Sequence, residues 1–95
     1  MFDWDPRKAK ANQLKHGVSF EEAATAFVDP EGLDGEDLEH STSEPRRLRL
    51  AKSTTGRVLL IAYTERRRDH EEITRIISAR RASQKERKRY ETKED

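Results

Sequence analysis

The longest uninterrupted apolar run in the chain, residues 58–63 (Val-Leu-Leu-Ile-Ala-Tyr), constrains the fold more than any other feature. Side chains of a β-strand alternate between two faces, so a run that is apolar at every position indicates a strand covered on both sides. The run is also far shorter than a membrane span requires. We therefore expect residues 58–63 to form the central strand of a sheet.

Shorter patterns on either side of this run predict its neighbours. Residues 47–50 (Arg-Leu-Arg-Leu) alternate as a half-buried strand does, and residues 73–79 predict a third strand. Turns are expected at residues 54–56 and 66–69, and connections this short favour an antiparallel meander. Strict alternation in the third strand predicts Arg75 on one face and, on the other, Thr74, Ile76, Ser78 and Arg80.

Capping signals predict two helices before the sheet. Asp5-Pro6 is a typical helix start, and Gly17 supplies the left-handed residue that ends a helix. Residues 19–22 form a capping box, behind which apolar residues recur at i, i+3, i+4 and i+7 until Asp29-Pro30. Both helices are expected to pack against the sheet, the second through its apolar stripe.

A further capping box at residues 83–86 predicts a C-terminal helix. This helix is highly charged, and Tyr90 is its only large apolar residue, so it docks through Tyr90 or awaits a partner. Residues 29–45 are interpreted as an acidic excursion with a short edge strand. The predicted fold class is α+β, with two N-terminal helices packed on a small antiparallel sheet.

The predicted core is thin. Leu, Ile, Val and Phe together number 17 of 95 residues, which supports one small domain over residues 1–95. Cysteine is absent, which excludes disulfide scaffolds, thiolate metal sites and cysteine nucleophiles. The chain has neither a signal peptide nor a membrane-spanning run, so we expect a cytoplasmic location.

Charge is balanced overall but strongly segregated along the chain. Lys and Arg number 20 and Asp and Glu 19, for a net charge of +1. Residues 29–45 carry seven acidic and no basic side chains, whereas residues 46–68 carry eight basic and one acidic. The basic block predicts contact with a polyanion, and the alternative is a solvated surface that the acidic segment screens.

The first helix carries a candidate phosphate-binding face. Lys8, Asn12, Lys15 and His16 are spaced so that they share one side of that helix. Two cations beside a titratable imidazole suit a phosphodiester substrate. An ordinary solvated helix face is the alternative.

A second candidate group lies at the end of the central strand, where Tyr63 and Glu65 point the same way and Arg66 follows. Cleavage of RNA by its own 2′-hydroxyl requires a base, cations for the phosphorane and an acid for the leaving oxygen. We predict that either Glu65 or His16 is the general base. The alternative for Glu65 is a simple ion pair with a neighbouring arginine.

Arginines of the last strand complete the predicted site. Arg80 is expected to clamp the transition state, because a guanidinium matches two phosphate oxygens. The predicted RNA-binding residues are Lys8, Lys15, Tyr63, Arg66 and Arg75. For Arg80 and its neighbour Arg81, the alternative role is neutralisation of the acidic segment.

Metal and cofactor chemistry are not expected. His16, His40 and His70 lack the spacing of metal ligands, and no glycine-rich nucleotide loop occurs. We therefore predict no metal site and no cofactor, so that arginine and lysine supply the positive charge in catalysis.

Residues 4–23, and above all Lys15-His-Gly-Val-Ser-Phe-Glu-Glu-Ala23, closely resemble the opening of the BrnT family of type II toxins. Residues 56–59, 63–66 and 75–82 continue the resemblance, and Glu86-Arg87 and Tyr90 complete it over nearly the whole chain. The resemblance implies a RelE-like fold and a ribonuclease that arrests translation. It also implies a BrnA antitoxin whose DNA-binding domain represses the shared operon. The acidity of residues 29–45 departs from the family pattern.

The implied antitoxin suggests roles for the C-terminal part. We expect Arg81 and Tyr90 to contact that partner, in a heterotetramer built through an antitoxin dimer that alone contacts operator DNA. Two function classes stay open at this point. The first is a metal-independent endoribonuclease toxin, and the second is a non-catalytic RNA- or partner-binding module with the same basic surface.

Overall fold

The computed structural model describes residues 1–41 and 44–93, so residues 42–43 of the acidic segment and residues 94–95 of the predicted domain lie outside the description. The elements follow in the order β1 (Phe2–Asp3), α1 (Pro6–His16), α2 (Phe20–Thr25), a 3₁₀ turn (Ala26–Val28), β2 (Leu33–Glu36), β3 (Arg47–Lys52), β4 (Val58–Arg68), β5 (Glu71–Arg81) and α3 (Gln84–Thr92).

The strands form one five-stranded sheet in the order β1-β5-β4-β3-β2. Strands β2 to β5 pair antiparallel in sequence, as the predicted meander requires, with β4 at the centre and β2 as the short edge strand. Strand β1 adds a parallel pair to the outside of β5 and makes the sheet mixed. The α+β class is confirmed, and β1 was not predicted because two residues carry no periodicity.

The helix boundaries confirm the predicted caps at Asp5, Gly17 and Ser19 and the capping box at residues 83–86. The capping box predicted at residues 19–22 forms only in part, because the Glu22 carboxylate accepts from Ser53, Thr55 and Arg57 rather than from the Ser19 amide. The Asp5 carboxylate accepts a hydrogen bond from the Arg7 amide at 2.8 Å, and Gly17 ends α1 at φ 67°. The Ser19 hydroxyl accepts from the Glu22 amide at 3.0 Å at the start of α2. Caps of this kind satisfy free amides with atoms a few residues away, which is why local sequence predicts them.

The hairpin between β4 and β5 is longer than predicted. The expected turn at residues 66–69 is wrong, because β4 continues to Arg68 and the turn consists of Asp69 and His70. Both turn residues have positive φ (52° and 68°), as a two-residue hairpin turn requires. Across the arms Arg68 lies opposite Glu71 and Arg67 opposite Glu72, and Arg67 and Glu72 form an ion pair at 3.8 Å, so oppositely charged residues face each other where an apolar pattern is absent.

A β-bulge in β5 corrects the predicted face of that strand. Ala62 pairs with Ser78, whereas the next residue, Tyr63, pairs with Ile76, so Ile77 is an extra residue. Paired residues share a face, so Ile76 and Ser78 lie on opposite faces of the sheet. The prediction that Thr74 and Ile76 share a face with Ser78 and Arg80 is therefore wrong, whereas Ser78 and Arg80 do share a face, opposite Ala62 and Leu60. The bulge instead places Arg75 and Arg80 on the same face, opposite Thr64 and Leu60 respectively.

Helices α1 and α2 cover one face of the sheet. The buried cluster between α1, α2 and this face comprises Val18, Phe20, Ala23, Ala26, Ala51, Leu59, Ile61, Ile76 and Ala79. Trp4 packs edge-on against Phe20 with ring centroids 5.9 Å apart. Its position is consistent with a packing role.

The other face of the sheet, called the open face below, is only partly covered. Its central side chains are Leu48, Leu50, Leu60, Ala62, Ser78 and Arg80. Helix α3 lies over the β3 side of this face, where Glu86 and Arg89 line a cleft with Leu50. In residues 1–41 and 44–93, no helix is long and apolar enough to cross a membrane.

Candidate active site

Asn12 fastens α1 to the edge of the sheet beside the open face. Its side-chain amide donates to the Ala79 carbonyl at 2.8 Å and to the Val18 carbonyl at 2.9 Å. Its side-chain carbonyl accepts from the Ala79 amide at 3.1 Å. Strand β1 pairs with β5 only at Thr74 and Arg75. At Ala79, beyond the end of β1, the Asn12 side chain therefore makes the backbone hydrogen bonds that a neighbouring strand would otherwise make.

This arrangement divides the predicted phosphate-binding face of α1. Asn12 is 7% exposed and belongs to the fold, whereas Lys8 and Lys15 are exposed on either side of it. His16, the last residue of α1, is half-buried.

His16 and Arg80 come together on the open face. They line one cavity of about 250 Å³, with a floor of Leu48, Leu60 and Ala62 and with Ser78 beside Arg80. The two residues come from separate elements, the C-terminus of α1 and the end of β5. An imidazole, a hydroxyl and a guanidinium therefore converge on a small concave surface.

Glu86 of α3 orients the Arg80 guanidinium. Its carboxylate accepts from Nη1 at 2.8 Å and from Nη2 at 2.9 Å, and the Arg81 carbonyl accepts from Nη1 at 3.2 Å. The ion pair raises the pKa of Arg80 and lowers that of Glu86, chiefly through these hydrogen bonds. Among the residues described, none bonds to Nε of Arg80, so the edge formed by Nε and the second hydrogen of Nη2 is available to a ligand.

Glu65 and Tyr63 lie on the opposite face from Arg80, since alternate residues of β4 face opposite ways. The Tyr63 hydroxyl donates to Asp34 Oδ1 at 2.7 Å and accepts from Arg47 Nε at 3.3 Å. Burial, together with Asp34, raises the pKa of Tyr63 to about 12. Glu65 is exposed, with its Oε1 4.0 Å from Arg47 Nε. The fold therefore does not bring these two residues to His16 and Arg80.

Arg66 and Arg75 lie on the Arg80 side of the sheet but already have partners. Arg66 forms a bidentate pair with Glu44, at 2.8 Å and 3.0 Å, and this pair lowers the pKa of Glu44. Arg75 pairs with Asp3 of β1. Both arginines are therefore neutralised by nearby carboxylates. Each would have to exchange a carboxylate for a phosphate to bind RNA.

Tyr90 docks α3 onto the body of the protein. It is 7% exposed, and its hydroxyl donates to Asp29 Oδ2 at 2.7 Å. Burial, followed by the hydrogen bond to Asp29, raises its pKa to about 12. The Lys93 ammonium lies 3.8 Å from the centre of its ring. Arg81, the other predicted partner contact, is exposed.

Two contacts of the site were not predicted: the hydrogen bonds of Asn12 to β5 and the ion pair of Glu86 with Arg80. Glu86 was recognised only as a helix cap, a function that it keeps by accepting from the Ser83 amide at 2.8 Å. Its spacing of six residues from Arg80 crosses a strand–helix junction and carries no sequence signal. Within the described parts of the chain, no group of three or more His, Asp or Glu side chains is placed to hold a metal ion.

Comparison with known proteins bears on both the fold and the chemistry. Residues 4–86 match the family model described as the ribonuclease toxin, BrnT, of type II toxin–antitoxin systems. The structure is similar to the 1.1 Å crystal structure of the Brucella abortus ribonuclease toxin BrnT, with a TM-score of 0.63 and 20% sequence identity, over 88% of this chain and 99% of that one. No curated protein matches the chain.

The structural similarity supports the fold, and the family match covers most of the chain. Of the two function classes that the sequence left open, the match supports the ribonuclease, and a type II system implies an antitoxin partner. The chain belongs to the BrnT family of ribonuclease toxins of type II toxin–antitoxin systems.

Proposed function

We propose that this protein is a metal-independent endoribonuclease whose active site is the His16–Arg80 cavity on the open face. The observation that carries the proposal is that an imidazole and a guanidinium from separate elements line the same cavity. RNA cleavage needs both a proton acceptor and a cation at one phosphate, and this cavity brings His16 and Arg80 to one surface.

The proposed reaction uses the 2′-hydroxyl of the substrate as nucleophile. His16 takes the 2′-hydroxyl proton, because imidazoles accept and return protons near neutral pH. The oxygen attacks the adjacent phosphorus, and the bond to the 5′-oxygen of the next nucleotide breaks. That oxygen receives a proton from water or from the imidazolium. The products are a 2′,3′-cyclic phosphate and a free 5′-hydroxyl.

Arg80 stabilises the charge that develops on the phosphorane. Its terminal edge is held by Glu86, so the Nε edge points a second pair of donors at the substrate. A guanidinium fixed in this way needs little reorganisation when charge develops, which is the main source of electrostatic catalysis. Glu86 therefore acts as a positioning residue. Glu65, on the other face of the sheet, has no part in this scheme.

Activity measurements on purified protein test the scheme. His16→Ala should reduce cleavage by on the order of 100-fold. Arg80→Ala should abolish it, whereas Glu65→Ala should leave it near the wild-type rate. Cleavage should survive EDTA and leave cyclic phosphate ends. Loss of activity in Glu65→Ala together with full activity in His16→Ala would assign the base to Glu65 and refute the open-face site.

We further propose that the cell-level function is translation arrest by a single domain over residues 1–95, neutralised by a BrnA-like antitoxin. In support, the family implies an antitoxin, and the open face leaves apolar residues such as Leu48 and Leu60 for a partner to cover. The proposed complex is a heterotetramer through an antitoxin dimer, which alone would contact operator DNA. Induced expression with primer-extension mapping of cellular RNA, with and without the antitoxin, tests arrest and neutralisation together.

A further inference from the structure

A second concave surface lies apart from the His16–Arg80 cavity. This basic cavity, of about 350 Å³, is lined by Lys52, Gly56, Arg57, Val58, Arg81, Ala82, Arg87 and Glu91. It shares no residue with the His16–Arg80 cavity. It is formed where the β3–β4 turn, the end of β5 and α3 meet, and two of its lining residues are joined by a hydrogen bond from the Ala82 amide to the Val58 carbonyl at 2.9 Å.

The charge of the basic cavity is unusual for this protein. Four cationic side chains and one carboxylate line it. Most arginines of the sheet are ion-paired, including Arg49, Arg66, Arg75 and Arg80. By contrast, within residues 1–41 and 44–93, no ion pair involves Lys52, Arg81 or Arg87.

The fourth cation, Arg57, is fixed in place. Glu22 accepts from its Nε at 2.9 Å, and the Gly17 carbonyl accepts from its Nη2 at 3.0 Å. Among described residues, its Nη1 has no hydrogen-bond partner. Cations gathered around a concave surface repel one another, and the low-dielectric wall focuses their field outward. A polyanion would relieve this repulsion.

We infer that the basic cavity binds the phosphodiester backbone of single-stranded RNA, at nucleotides beyond the one cleaved at Arg80; this inference rests on the proposed function. Arg80 and Arg81 are consecutive, and their pairing with Leu60 and Leu59 places their side chains on opposite faces of β5. A single-stranded RNA that leaves the open face past the end of β5 therefore reaches the basic cavity. The cavity binds by charge and reads no bases.

Salt-dependent binding tests the inference. The probe is a single-stranded RNA of about 20 nucleotides with 2′-O-methyl groups throughout, which lacks the nucleophile, titrated from about 50 to 300 mM KCl. The salt slope is the magnitude of the slope of the logarithm of the binding constant against the logarithm of the salt concentration. For the triple variant Lys52→Gln, Arg81→Gln, Arg87→Gln this slope should be smaller by about 2 than for wild type, and at about 0.1 M salt the variant should bind on the order of 100-fold more weakly.

A matched variant controls for net charge. Lys10→Gln, Lys85→Gln, Lys88→Gln removes three exposed lysines outside the cavity and should change the slope by less than about 1. Because the Lys52 ammonium lies 5.9 Å from the Tyr90 ring centre, its loss can disturb α3. If the triple variant fails to fold, the double variant Arg81→Gln, Arg87→Gln, which keeps Lys52, takes its place. The double variant should lower the salt slope by about 1.4.

The outcomes separate this inference from the proposed function. An unchanged slope in the folded double or triple variant, or an equal loss in the lysine control, overturns the basic cavity as an RNA site. Retained RNA binding with lost antitoxin binding also overturns it, because the cavity would then be a partner site. Cleavage by the wild type is assayed separately on unmodified RNA, and its absence would refute the proposed function whatever the slopes are.

Discussion

Replacing Asn12 with alanine removes the clamp between α1 and the edge of β5. Three hydrogen bonds are lost, to the Val18 carbonyl and to both backbone groups of Ala79. Each contributes about 1 kcal/mol net, and buried groups left without partners add to the cost. Alanine is the better helix former by roughly 0.5 kcal/mol, which offsets a little of the loss.

We therefore expect Asn12→Ala to lower the free energy of unfolding by about 3 kcal/mol, against a total of about 5–15 kcal/mol for a domain of this size. The melting temperature should fall by about 15 °C. Thermal and urea unfolding followed by far-UV circular dichroism measure both quantities. Gln13→Ala, at the adjacent exposed position of α1, is the matched control and should lie within about 0.5 kcal/mol of wild type.

Asn12→Asp sharpens the test because it keeps the shape and removes the donor. At neutral pH its carboxylate would face two carbonyl oxygens, so its pKa in the folded state would lie above its unfolded value. Stability that depends on the protonated form is present at low pH and lost as pH rises through the folded pKa. Asn12→Asp should thus be less destabilised, relative to wild type, at about pH 4 than at about pH 8. A cost below about 1 kcal/mol for Asn12→Ala would refute the reasoning.

Two further predictions concern the carboxylates that hold the fold together. The pKa of Glu22 is lowered to about 2, first of all by its hydrogen bonds with Arg57. The stability that the ionised Glu22 carboxylate contributes is therefore fully present above pH 4.5 and is lost as the pH falls towards 2. The difference in melting temperature between wild type and Glu22→Gln should accordingly become smaller over that pH interval. A difference that stays constant would contradict this. Tyr90→Phe removes the bond to Asp29 and should cost about 1 kcal/mol, whereas Tyr90→Ala, which also removes the ring, should cost about 3 kcal/mol or more in thermal melts. Equal melting of Tyr90→Phe and wild type would mean that the hydroxyl contributes nothing to docking α3.

Much of the fold follows from local patterns. The caps at Asp5, Ser19 and Ser83 use atoms within three residues, so their sequence signals survive in any tertiary context. The central strand was predictable because residues 58–63 are apolar at every position and are flanked by turn signals. Residues 66–68 were assigned to a turn because they are all charged, and the residues opposite them in β5, which keep them in a strand, cannot be read from local sequence.

The candidate site was predictable in residue types but not in geometry. His16 and Arg80 were identified from the chemistry that RNA cleavage demands, and the structure places them at one cavity. Glu65 and Tyr63 were identified by the same argument, yet they lie on the other face of the sheet. The required chemistry indicates which residue types can take part, whereas the register of the strands determines which of those residues lie close together.

The amino-acid sequence alone determined the helix ends, the central strand, the absence of thiol chemistry and the membership of a toxin family. Only the tertiary structure decided which side chains surround the open face. Inserting Ile77 as a bulge reverses the side-chain direction of β5, and the register with β4 sets where that reversal falls. Asn12 likewise finds its partner 67 residues away, at an edge that exists only once the sheet has assembled. Contacts between distant residues depend on the free energy of the whole packed arrangement, which no short stretch of sequence encodes.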